Sequence, residues 1–458
     1  MVRAFRRVFS FICQQPSQPR AVTKSTSIHY LFSMAASKPI YLDGTTLEGG
    51  GQLLRIALCL SALTKVPIHI DHIRGKRGPK SKPGQDGGFK PAHLAAARWL
   101  AKATNATTLG MELKSTQLRF QPSYESNTNE EDTAQDNVWQ NVYENGKVVG
   151  KQTTISMSSP GSITLILQAV LPFILFSKSD LPTWLRIEGG TNVSKSPSTE
   201  YVKHVLLPLL HSRLKFPLIE TTIHRRGWSV GRPDVGAVTF KIPARSSQVR
   251  LKAFDLTDRG QVTHVRAFIL AGEDRLRAAI KAKVEEHVRE AFPKVAIDFP
   301  AYEDSRNPKR LYVLLAAEAS SGHRLASDAL VERRSLKRKG KTEKHVEGDV
   351  AEEAEKVVTM VLGDLKAELA HGGCVDQYMQ DQLVVFQALI AGKSKIETGG
   401  LEATLHTETA RWVAQQLLGV KFDEEGHCEG IDFACRNANE DKVVENLVDG
   451  MNQLSAVD

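Results

Sequence analysis

Cysteine is scarce in this 458-residue chain and scattered: Cys13, Cys59, Cys374, Cys428 and Cys435 show no C-x-x-C spacing. That spacing excludes a sequence-encoded zinc site or a disulfide framework and points to a reducing compartment. No run reaches the roughly 18 to 20 uninterrupted apolar residues of a membrane helix, so no membrane partner is expected. The glycine-rich turn near the N-terminus carries neither the dinucleotide fingerprint nor the nucleotide-binding P-loop pattern. Acids are absent before Asp43. Residues 1–37 instead set Arg3, Arg6, Arg7, Arg20 and Lys24 among serines and apolar residues. That composition reads as a targeting segment, with a disordered tail and a working start at Met34 as the alternatives.

What is present allows a sizeable core and an anionic partner. The chain is 41% hydrophobic and too long for one ordinary domain, so two domains or repeated modules are expected. Lys plus Arg (60) exceeds Asp plus Glu (52), a net charge of +8 with a pI near 9.1. This mild excess suits RNA without requiring it.

Two segments carry chemistry. The first runs from Asp43 to Arg55, where Gly49, Gly50 and Gly51 open an apolar helix through Ile56, Leu58, Leu60 and Leu63. Glycines let backbone N–H groups approach an anion, and a helix N-terminus favours negative charge. Glu48 beside such a turn suggests a ligand for Mg2+ or Mn2+, which bridges carboxylate and phosphate. Gln52 and Arg55 share one face of that helix. The second segment is Thr404-Leu405-His406-Thr407-Glu408-Thr409, at a strand-to-helix junction. One histidine among 14 is by itself an ordinary residue. A neutral imidazole is nevertheless a good nucleophile toward phosphorus.

The order of motifs resembles that of the RNA 3'-terminal phosphate cyclases. D-G-x-x-x-E-G-G-G-Q-x-x-R is matched from Asp43 to Arg55, and I-R-x-x-R, P-G and H-L by Ile73-Arg74, Arg77, Pro83-Gly84 and His93-Leu94. A G-S-x-x-L-x-x-Q-x-x-x-P helix is matched from Gly161 through Gln168 to Pro172. Gly189-Gly190-Thr191-Asn192 with Pro197, Leu256-Thr257 with Arg259-Gly260, Tyr378 to Gln382, and Leu405 to Thr409 follow in sequence. The resemblance spans about residues 39 to 422. The chain departs from it in a longer loop at 78–90, in Ala92 where a Gln is usual, in Gly231 to Gly236, and in the basic run from Arg333 to Lys341. That run reads as a solvated loop, an RNA contact or a nuclear import signal.

The resemblance implies an α/β fold of three βαβαββ modules like the C-terminal domain of translation initiation factor 3, with a smaller α/β domain inserted. The expected organisation is an extension 1–37, modules 1 and 2 at 38–242, the insert at 243–316, module 3 at 317–440 and a tail at 441–458. The insert is expected as strand, helix, helix and strand, including a helix from Asp274 to Phe292, and a polar linker is expected at Ser126 to Asp132.

It also implies ATP-dependent conversion of an RNA 3'-phosphate to a 2',3'-cyclic phosphate, with His406 as nucleophile and Mg2+ or Mn2+ at Glu48. Gln168, Pro197, Tyr378, Asp381 and Gln382 would hold the nucleotide, Pro197 and Tyr378 sandwiching the adenine. Gln52, Arg55, Arg74, Arg77 and His93 would hold phosphates or the RNA end. DNA 3'-phosphate ends stay open as a second substrate, and whether an obligate protein partner exists stays open as well. The competing expectation is a non-catalytic cyclase-like protein acting in ribosome assembly or RNA binding, a branch that lacks the histidine. A nuclear location is expected, with the mitochondrion as the alternative reading of the N-terminal extension.

Overall fold

The computed structural model describes residues 38–78, 82, 84–123, 138–177, 179–245, 251–333 and 343–433, without the side chains of 343–348. The N-terminal extension, the polar linker, most of the basic run after Arg333 and the C-terminal tail fall outside the described residues.

Module 1 consists of β1 (Ile40–Asp43), α1 (Gly51–Thr64), β2 (Ile68–Asp71), α2 (Pro91–Ala103), β3 (Thr107–Leu109) and β4 (Leu118–Gln121). Its sheet runs β1-β2-β4-β3, with β1 and β2 parallel and the rest antiparallel. Strand β5 (Gln140–Glu144) then pairs with β6 (Lys147–Ser156), the first strand of module 2. That module continues with α3 (Ile163–Phe176), β7 (Thr183–Gly189), α4 (Thr199–Tyr201), a π-helical turn (Val202–Leu206), α5 (Leu207–Ser212), β8 (Glu220–Arg225) and β9 (Gly236–Ile242). Its sheet order β6-β7-β9-β8 repeats that of module 1. The π turn sits where Pro208 has no N–H to give the His204 carbonyl, which accepts from Arg324 instead (2.8 Å).

Module 3 begins at β10 (Asp255–Leu256). The insert follows directly: β11 (Val262–Ala271), α6 (Asp274–Ala291), β12 (Ala296–Asp304), β13 (Arg310–Ala319), β14 (Arg324–Glu332) and α7 (Glu343–Ala370). The chain then resumes module 3 with α8 (Gln377–Leu389), β15 (Gly392–Ile396), α9 (Leu405–Leu418) and β16 (Cys428–Gly430). Strand β10 lies parallel to β15, β15 antiparallel to β16, and Phe422 bridges Cys428, so the same strand order returns a third time.

The insert departs from its expected bounds of 243 and 316. Residue 316 lies inside β13, and the sheet β12-β11-β13-β14 runs on to Glu332 with α6 and α7 packed together against it. It contains strand, helix, three strands and a final helix rather than two helices between two strands. It has its own core, including Val265, Ile269, Ile280, Leu315, Val358 and Val361. The larger core joins the three modules. Its axis is α1, whose residues from Gly51 to Leu63 are all buried and which packs on α3 and α9. A helix buried on every side carries no polar stripe, which is why its sequence reads as nearly continuous apolar residues. No described helix is long and apolar enough to cross a membrane.

Candidate functional site

The chain's two chemical segments meet. The Glu48 backbone N–H donates to Thr409 Oγ1 at 3.1 Å across 361 positions. His406 Nδ1 lies 3.7 Å from Glu48 Oε1. Both helices that carry the site begin there. Gly49 turns with φ 57°, a conformation that favours glycine, and leads into α1. Helix α9 is capped by Thr404, whose hydroxyl accepts from the Thr407 N–H at 3.2 Å. The cap is therefore Thr404. Thr407 instead bonds Gln380 Oε1 (3.4 Å), and Thr409 is the tie to Glu48.

Electrostatics at this junction favour a neutral histidine and an anion. Burial lowers the His406 pKa below the ordinary value, and Arg55 and Arg77 push the same way against the opposing pull of Glu48. The N-terminal dipole of α9 adds to this by disfavouring imidazolium. The ring remains half-exposed, at 48%, whereas Glu48 is buried at 6%.

Glu48 is engaged from two sides: Arg77 Nη2 donates to Oε1, and the Gln52 N–H donates to Oε2 at 3.3 Å. Arg77, not Arg55, is thus its ion-pair partner. Arg55 points deeper, donating from Nε to Gln168 Oε1 at 2.7 Å and from Nη2 to Gln52 Oε1. Gln168 Nε2 then reaches Asp381 Oδ1 at 3.5 Å. Burial pushes the Asp381 carboxyl up to about 7, against the lowering effect of Arg55. Gln382 donates to the Tyr378 carbonyl at 2.9 Å.

His93, in the first turn of α2, lies against Gly51. A methyl group there would sit 2.5 Å from His93 Nε2 and 2.9 Å from Arg55 Nη1. Burial, with Arg55 second, lowers the His93 pKa to about 3, so it stays neutral. Arg74 Nη1 braces the long loop through the carbonyls of Asp86 (2.6 Å) and Gly88 (3.3 Å). Pro197 precedes α4 in module 2 and Tyr378 lies on α8 of module 3, and the Pro197 carbonyl accepts from Thr164 at 2.6 Å.

Three buried nitrogens around this centre have no protein partner: Gln52 Nε2, His93 Nδ1 and Gln380 Nε2. A polar ligand suits such donors, since an unpaired buried polar atom costs about 1–3 kcal/mol. A divalent cation would find Glu48 at the turn, with the Asp381 carboxyl deeper beside Gln168. That fits Mg2+ in its usual mode of one or two carboxylates plus phosphate and water, and does not fit an all-protein cage. Among the described residues the cluster of three closely spaced potential ligands is elsewhere, at Asp423, Glu425 and His427.

At the meeting N-termini of α1 and α9, an acid, an imidazole and two arginines come together on a three-module α/β scaffold. Residues 46–423 match the sequence profile of the RNA 3'-terminal phosphate cyclases, and the chain belongs to that family. A Drosophila melanogaster protein named RNA 3'-terminal phosphate cyclase is 31% identical over 400 residues, covering 85% of this chain and 94% of its own length. Proteins of the same name from Pyrobaculum aerophilum (28% over 389 residues) and Korarchaeum cryptofilum (30% over 390 residues) each cover 84% of this chain and 94% of their own length.

Sequence reading missed Gln380, Tyr201 and Asp376 as parts of the site's frame. Gln380 and Asp376 lie within or beside the Tyr378 to Gln382 motif, so an amphipathic reading of α8 would have marked them. Tyr201 carries no sequence signal of its own.

Proposed function

We propose that this protein converts RNA 3'-phosphate ends to 2',3'-cyclic phosphates by ATP-dependent nucleotidyl transfer through His406. The observation that carries the proposal is the meeting of His406 with Glu48 at the joined N-termini of α9 and α1. With Nδ1 turned toward Glu48, Nε2 is the nitrogen left to attack.

In the first step the imidazole lone pair forms a bond to the α-phosphorus of ATP, and the bond to the β-phosphate oxygen breaks, releasing pyrophosphate. The RNA 3'-phosphate oxygen then attacks this phosphoramidate, returning a free imidazole and giving an RNA 3'-adenylate. Finally the 2'-hydroxyl oxygen attacks the 3'-phosphorus, its proton goes to solvent or a base, and AMP leaves. Activation is needed because a phosphate dianion has no good leaving group, and a covalent intermediate divides the displacement into easier steps.

The chain's own residues hold and screen charge. Arg77 and Arg55 sit where triphosphate oxygens would approach the α1 N-terminus, and charge-assisted forks suit them. Pro197 and Tyr378 face the base, with Gln168, Asp381 and Gln382 on the floor between α3 and α8; Gln52 and His93 offer N–H groups to phosphate, whereas Arg74 keeps the RNA-end loop in place. Mg2+ or Mn2+, held by Glu48, would neutralise triphosphate charge.

Incubation with ATP labelled in the α-phosphate should give acid-labile, alkali-stable label on the protein. His406→Ala should lose that label and all cyclisation while melting within about 2 °C of the parent, because the ring is half-exposed. Undiminished label in that variant would refute the reading. A 3'-phosphorylated RNA left unchanged by a labelled wild-type protein would favour the non-catalytic alternative.

A further inference from the structure

Two hydrogen bonds from the inserted sheet end beside the two residues assigned to the adenine. On β13, the Tyr312 hydroxyl hydrogen-bonds Ser198 Oγ at 2.5 Å and Asp328 Oδ2 at 3.0 Å. Ser198 follows Pro197 and caps α4 by accepting from the Tyr201 N–H at 3.0 Å. On β14, the Ala326 N–H donates to Asp376 Oδ2 at 2.9 Å. Asp376 caps α8 two residues before Tyr378, and its Oδ1 accepts from the Met379 N–H (2.9 Å) and the Tyr201 hydroxyl (2.6 Å).

The Tyr201 ring closes the triangle, meeting Tyr378 edge to face at 5.6 Å. Ser198, Tyr201, Tyr312 and Asp376 are all buried. Among the described residues β14 is the outer strand of its sheet, so its outward N–H groups face no other strand there and Ala326 can serve the core. The insert therefore grips module 2 immediately after Pro197 and module 3 just before Tyr378.

We infer that the inserted sheet is a gauge for the nucleotide slot: Tyr312 and the Ala326 N–H fix the separation of Pro197 and Tyr378, making Tyr312 and Asp376 positioning residues for ATP. The inference rests on the proposed assignment of those two residues to the adenine. A stacking slot depends on spacing at the level of tenths of an ångström, because the attraction falls off steeply once a gap opens. Both ties run from one rigid antiparallel pair, β13 and β14, so the two walls are referred to a single frame.

The test compares full-length wild type, Tyr312→Phe and Asp376→Asn. Phe removes only the hydroxyl. Asn keeps an oxygen for the α8 cap and sets a donor against the Ala326 N–H. ATP binding is measured by calorimetry, KM for a 3'-phosphorylated RNA and kcat at saturating ATP by cyclisation, and folding by melting temperature. The expected result is ATP affinity weakened at least fivefold in each variant, with kcat and the RNA KM within twofold. Unchanged ATP affinity in a folded variant, or ATP and RNA affinities falling together, overturns the inference. Ser198→Ala cuts the Tyr312 tie from the opposite side and decides the matter if Tyr312→Phe does not fold. A wild type that binds ATP without labelling His406 sinks the cyclase reading alone, and the gauge is then judged on ATP binding; no ATP binding sinks both.

Discussion

In the proposed reaction His406 attacks phosphorus only while its ring is neutral, and its surroundings favour that form. Burial, Arg55 and Arg77 lower its pKa below the ordinary 6.5. The sign follows directly: activity falls as acid protonates the ring, and the fall begins below the usual histidine range. Single-turnover labelling between pH 5 and 8 should therefore keep more than half its plateau rate at pH 6.5, and a midpoint above 7 would contradict the assignment. Glu48 answers to a different measurement. Glu48→Gln removes the sole carboxylate at the turn, so labelling should slow by tenfold or more and lose its dependence on Mg2+ concentration. Retained metal dependence at normal rate would place the cation elsewhere. The motif order named these two residues, but not the arginine that pairs with Glu48. That choice depends on the loop that carries Arg77 folding back over the turn, a tertiary event with no local sequence signature.

At the scale of elements, the first turn of α1 is the tightest part of the site. Gly51→Ala adds a methyl group within 2.5 Å of His93 Nε2, and Arg55 lies almost as near. Arg55 is held by Gln168 and Gln52, so the clash should shift the pair: a loss of about 1–3 kcal/mol in stability is expected, as in overpacked cores, with at least a tenfold loss of labelling. Calorimetry and the labelling assay check the two effects separately. The helices themselves were legible, since α1, α2, α3, α6 and α9 each follow apolar patterns with recognisable ends such as Pro91 and Gly419. The two-residue β10 was not. Nothing in Asp255–Leu256 displays period-two alternation, and it becomes a strand only because β15, far along the chain, lies beside it. Missing it concealed where module 3 begins and shifted the expected insert toward the N-terminus.

The whole molecule carries a pH signature of its own, concentrated where the insert meets the core. Burial raises Glu368 to about 7, and Asp328 and Asp376 to about 6. An acid whose folded pKa lies above its unfolded value holds its proton more tightly when folded. Folding stability then declines as pH rises from the unfolded value near 4 to 4.5 through the folded one. Glu368→Gln, uncharged throughout, should melt about 1–3 °C higher than wild type at pH 8.5, the difference vanishing near pH 4.5. An equal difference at both pH values would mean that the group does not titrate in this window. The threefold module pattern was expected at this scale from the family resemblance that the motif order carries. The contacts between modules were not, because the polar side chains that make them, Tyr201, Tyr312 and Asp376, look like ordinary members of their own segments.

The bond from the Glu48 amide to the Thr409 hydroxyl joins parts of the chain that leave the ribosome far apart in time. During synthesis the glycine turn emerges roughly 360 residues before its partner, a delay of about 20–70 s at 5–20 residues per second. An unfinished polypeptide therefore possesses the glycine turn without the proposed nucleophile, and a chain truncated before α9 should be inert toward ATP's α-phosphate however well its first two modules have folded.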